Sequence, residues 1–137
     1  MSSQALLALV VLVSVGTTAA ALVQLVRTST RRAPFEAGLT PVYTDRGGGT
    51  FGFVRISAPL VRIAVYPSQV VVAHFTTLVI PAEAIREVSV VPALIGRRVR
   101  LVHGCPSFPS PVLLWSNTPE VLAAAIRGIA PHAGTAG

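Results

Sequence analysis

Residues 60–75, Leu60-Val61-Arg62-Ile63-Ala64-Val65-Tyr66-Pro67-Ser68-Gln69-Val70-Val71-Val72-Ala73-His74-Phe75, decide the fold class. Val61, Ile63 and Val65 alternate with Arg62, Ala64 and Tyr66. That is the period of a strand with one face in a core and the other in water. Pro67-Ser68-Gln69 turns the chain, because proline presets the first turn angle. Val70 to Phe75 is rich in β-branched residues and returns as the second arm of an antiparallel hairpin.

Outward from the hairpin the same short period continues. Phe51-Gly52-Phe53-Val54-Arg55-Ile56 is a candidate strand before it. Thr77 to Ile80 follows it and stops at Pro81, which has no amide to give a ladder. Ile85 to Val91, Arg97 to His103 and Val112 to Ser116 complete the set, separated by loops at Pro92–Gly96 and Gly104–Pro111. The period then changes. Thr118 can cap a helix, Pro119 suits its first position and Glu120 suits its positive end. Val121, Leu122, Ala125, Ile126 and Ile129 fall on one helical face, and Gly128 and Pro131 bracket the end. The expectation for 50–130 is a mainly-β domain of roughly seven antiparallel strands, a sandwich or barrel capped by one C-terminal helix, with a disordered tail at 131–137.

Before the domain, Ala5 to Val26 carries no charge. At 1.5 Å per residue it reaches about 33 Å as a helix, against a hydrocarbon core of about 30 Å. Helix is the conformation that satisfies its backbone in lipid. Residues 1–27 therefore read as a single-pass transmembrane anchor. A cleaved leader competes, but it wants a basic start and a shorter apolar run. Here Arg27, Arg31 and Arg32 follow the run, which places the N-terminus outside and the domain in the cytoplasm, at the cell (inner or plasma) membrane. Gly16 and Ala20 stand four apart, a spacing that lets two such helices associate into a homo-oligomer. Residues 28–49 hold Pro34, Gly38, Pro41 and Gly47-Gly48-Gly49 without a sustained period, and read as a flexible linker. The glycine run lacks the lysine and preceding strand of a phosphate loop.

The net charge is +6, from 11 basic and 5 acidic residues, and every basic residue is arginine. Arg27, Arg31 and Arg32 supply half of the excess, and the +3 that remains is too small to point to nucleic acid. The single cysteine, Cys105, excludes an internal disulfide framework. His74, His103, His132 and Cys105 lack the spacing of metal ligands. Glu83 and Glu87 flank Arg86 and read as solvated surface, so acid–base catalysis is not expected, nor is a cofactor.

The hairpin 61–72, the segment Ile80-Pro81-Ala82-Glu83-Ala84-Ile85-Arg86-Glu87-Val88 and the strand–helix ending from Val112 to Arg127 resemble the pleckstrin-homology-like (PH-like) superfold. The resemblance is closer to the small bacterial PH-like domains fused to membrane helices. It implies a non-enzymatic binding module, here anchored in the bilayer and docking a protein partner within a membrane complex. Two other functions compete: a tethered domain that senses anionic lipid, and an exported protein with a cleaved leader. For the surface that meets lipid or partner, the candidates are Arg97, Arg98 and Arg100, with Leu94, Ile95 and Phe108 in apolar loops.

Overall fold

The computed structural model describes residues 2–29 and 32–133, with side chains of the first helix described as far as Gln24. That helix, α1, runs Ser3–Ser29. It is long and apolar enough over Ser3–Gln24 to cross a membrane, and its described side chains are all exposed. Thr18 Oγ1 donates to the Ser14 carbonyl at 2.8 Å, so this mid-helix hydroxyl is satisfied inside the helix. Gly16 and Ala20 lie exposed on it.

The described residues then form seven strands and a closing helix. The strands are β1 Tyr43–Phe51, β2 Val54–Tyr66, β3 Gln69–Ala73, β4 Thr77–Pro81, β5 Ile85–Pro92, β6 Arg97–His103 and β7 Val112–Trp115; α2 is Pro119–Ile129. They make one antiparallel sheet in the order β4-β3-β2-β1-β7-β6-β5, curled into a half-barrel. The inner face carries Val61, Ile63 and Val65 of β2, Val99 and Leu101 of β6, and Val112 and Leu114 of β7. α2 packs on β5, β6 and β2, and its Leu122, Ala123 and Ile126 complete that core. Val121, expected on the buried face, is exposed. The apolar stripe is centred one residue later.

β1 joins the two halves of the sheet. Tyr43–Gly47 pairs with Val61–Val65 of β2, while Gly49–Phe51 pairs with Val54–Ile56 of β2 and, on its other side, with Val112–Leu114 of β7. Between these stretches β2 carries extra residues at 57–60 opposite Gly48, a bulge that bends the strand. Pro59, which cannot donate, sits in that unpaired stretch.

Two expectations change here. The strand at 51–56 and the one at 60–66 are a single strand, β2; Gly52 (φ 64°) and Phe53 are the β1–β2 turn instead. The stretch 28–49 is not a free tether, because it contains most of β1 and a short 3-10 turn at Pro34–Glu36. Alternation was hidden in β1 by the three glycines, which have no side chain to read.

The segment before β1 is fastened to the sheet by a buried carboxylate. Glu36 is fully buried. It accepts from Arg62 Nη1 at 2.9 Å and Nη2 at 2.7 Å, from the Tyr66 hydroxyl at 2.7 Å and from the Ala33 amide at 2.7 Å. Arg32 adds bonds to the carbonyls of Glu36 (2.6 Å) and Leu39 (2.8 Å). Leu39 packs with Ala64, Tyr66, Val71 and Val79 as a second small core on the outer face. Ala64 and Tyr66 were expected in water; they are buried because this segment covers them.

Burial alone would push the Glu36 carboxyl up. The hydrogen bonds from Arg62, Tyr66 and Ala33 and the Arg62 charge outweigh it, and the pKa falls from 4.5 to about 2. Burial, then the hydrogen bond to Glu36, pushes the Tyr66 hydroxyl up. A depressed carboxyl contributes its stability in full above its unfolded value. That contribution is lost as pH falls from 4.5 through about 2.

Removing one partner of a buried pair costs about 3–5 kcal/mol. Glu36→Ala is therefore expected to release this segment. The amides of Glu36, Leu39 and Val42, each bonded to a carbonyl here, should exchange with deuterium at least about tenfold faster. Those of β3 should not change. The same release is expected in the unmodified chain as the pH falls through about 2.

Candidate functional site

A strand that buries one face exposes the other, and on this sheet the outer face is rich in arginine. Arg46 lies opposite Arg62 across β1 and β2, and Arg55 and Arg100 occupy the positions set by Thr50 and Leu113. Arg98 flanks inward-facing Val99, so it points the same way. Trp115, next to inward Leu114, lies half-buried among them. The Arg98 guanidinium carbon is 4.6 Å from the indole centroid and that of Arg55 is 5.3 Å away. Each such contact is worth about 0.5–1 kcal/mol at an exposed site.

The glycine run makes room for this arrangement. A Cβ at Gly48 would lie 2.1 Å from Trp115 Nε1 and 2.6 Å from the Ile56 carbonyl oxygen. At Gly47 it would lie 1.9 Å from the Trp115 carbonyl oxygen, and at Gly49 it would lie 2.5 Å from the Phe51 ring. The indole thus rests on bare backbone of β1. Behind it Asp45 accepts from the Tyr43 hydroxyl at 3.1 Å and from Ser116 Oγ, fixing the start of the β7–α2 connection.

The β5–β6 loop stands beside this face. Leu94 is 100% exposed and Ile95 89%. Ile95, Arg97, Trp115, Asn117 and Glu120 line one open cavity of about 440 Å³. Of the residues singled out from sequence, Leu94, Ile95, Arg97 and Arg98 therefore come together. Arg97 pairs with Glu120, and Arg100 pairs with Glu87 at 3.2 Å. Phe108 is elsewhere: it packs on the core and meets the His103 ring edge-on at 6.5 Å. Arg32 belongs to the Glu36 fastening. Arg31 lies outside the described residues, as does the side chain of Arg27. Trp115 was missed by sequence reasoning. The one signal for it was that Trp115 is the only tryptophan of the chain and sits at an outward position of its strand.

Among the described residues no group of three or more His, Cys, Asp or Glu gathers as a metal site would need. His103 Nδ1 accepts from the Cys105 amide at 3.1 Å and its Nε2 lies 2.7 Å from the Pro109 carbonyl, so this ring ties down the β6–β7 loop. His74 stacks on Phe51 at 4.5 Å, and burial holds its pKa below the ordinary value. No family model matches the chain, and no curated protein matches it.

Gly47→Ala drives a Cβ into backbone and is expected to destabilise the fold by about 3 kcal/mol, the upper end for overpacking. Gly38→Ala, where a Cβ meets nothing within 4 Å, should leave stability within about 0.5 kcal/mol. Thermal unfolding followed by circular dichroism separates the two.

Proposed function

We propose that this chain is a membrane-anchored, non-catalytic interaction module of PH-like type that docks a protein partner through the Trp115 face. The observation that carries the reading is the cavity shared by Trp115 and the exposed Ile95, beside Arg55 and Arg98. Tryptophan and arginine are enriched among residues that dominate binding energy at interfaces. Fully exposed Leu94 and Ile95 supply apolar area that water alone does not favour. The strand order and the closing helix support the PH-like assignment. The apolar length of α1, followed by arginines, supports an anchor with the domain in the cytoplasm.

The ion pairs Arg97–Glu120 and Arg100–Glu87 weigh against the lipid alternative, because they neutralise two of the three arginines it relied on. A photo-crosslinking residue at Ile95, in the full chain in native membranes, tests the reading. A discrete protein adduct is expected at position 95, absent from a control at exposed Thr76 and lost with Arg98→Glu. Adducts to lipid alone, or equal labelling at both positions, would overturn it.

A further inference from the structure

Two arginines on the Trp115 face, Arg55 and Arg98, have no carboxylate partner among the described residues. The chain has five acidic side chains. Glu36 is held by Arg62, Tyr66 and the Ala33 amide, and Asp45 by Tyr43, Ser116 and the Arg46 amide. Glu87 pairs with Arg100 and Glu120 with Arg97. Glu83 sits on the 3-10 turn Ala82–Ala84, between β4 and β5. Arg55 and Arg98 are left with the indole, which Arg55 reaches from β2 across β1 and Arg98 from neighbouring β6. Arg55 is exposed and Arg98 half-buried. Their guanidinium carbons lie 5.3 and 4.6 Å from one ring centroid, so they stand at most about 10 Å apart. That is about one screening length at 0.1 M salt, so the two charges repel each other and together attract an anion.

Trp115 also lines two cavities. One, of about 440 Å³, it shares with Ile95 and Pro119; the other, of about 240 Å³, with Ala58 and Pro59 of the β2 bulge. Ser116 and Asn117 line both. A ligand lying across the indole therefore meets apolar walls and two cations at once. We infer that the protein partner presents an extended acidic segment, with carboxylates on either side of an apolar residue. This rests on the Trp115 face being a docking surface. Planar guanidinium groups match carboxylate oxygens in pairs, and the apolar side chain fills a cavity beside the ring. A lipid surface fits less well, because two cations hold it weakly and its headgroups leave both cavities without an apolar occupant.

Trp115 is the only tryptophan, so its emission reports on this face directly. The full chain in nonionic detergent is titrated with the blocked peptide Glu-Glu-Leu-Leu-Glu-Glu, whose alternate residues read Glu, Leu, Glu on both faces of an extended chain. The control is the same peptide with Gln for Glu. The acidic peptide should shift the emission saturably, with a dissociation constant that rises with salt, and the control should not. Arg55→Gln and Arg98→Gln together should raise that constant about tenfold, the weight of two exposed charge contacts. Arg86→Gln, exposed near the start of β5, should leave it unchanged. Suppose position 95 yields its protein adduct, yet the two peptides behave alike or the double substitution does not move the constant. The acidic partner is then overturned, and the face docks a partner of another kind. A shift with phosphatidylglycerol vesicles but with neither peptide would overturn it in favour of a lipid surface. If position 95 yields no protein adduct, the face is not a docking surface and has no acidic partner.

Discussion

The bidentate pair between Glu36 and Arg62 is the interaction on which the arrangement of this chain depends. A carboxylate without water must be matched by donors, and here Arg62, Tyr66 and the Ala33 amide provide them. The match draws Pro34–Leu39 onto the outer face of β2 and β3 and packs half-buried Leu39 over Ala64, Tyr66 and Val71. The stretch between α1 and the sheet is thereby shortened to the few residues before Pro34.

The second constraint is the bare backbone of Gly47-Gly48-Gly49. It lets Trp115 lie against β1 and lets β1 switch between pairing with β2 alone and pairing with β2 and β7 together. Trp115, which lies against this stretch, lines the cavity beside Ile95. Backbone economy at three positions therefore shapes the whole outer face.

The hairpin 61–72, the strands from β4 to β7 and the C-terminal helix were legible in sequence, because β-branched alternation and the Thr118-Pro119-Glu120 start are local signals. β1 was not legible: glycines erase alternation, and its second half pairs on one side with β7, far along the chain. Glu36 looked like one more linker charge, because nothing within a few residues reveals Arg62 and Tyr66 as its partners. The apolar loop at Leu94 and Ile95 and the outward arginines on β6 were readable from period two. Trp115 needed the sheet order, which sets it between Arg55 and Arg98.

The central proposal is that the chain stays attached through α1, with its sheet domain on the side of the membrane where the arginines lie. Reporter fusions at the C-terminus, active on one side of the membrane only, combined with sequencing of the N-terminus of the membrane-extracted protein, test it most directly. An intact N-terminus, extraction by detergent alone and a reporter active in the cytoplasm are expected. A new N-terminus near Ala21, or a reporter active only outside, would contradict it.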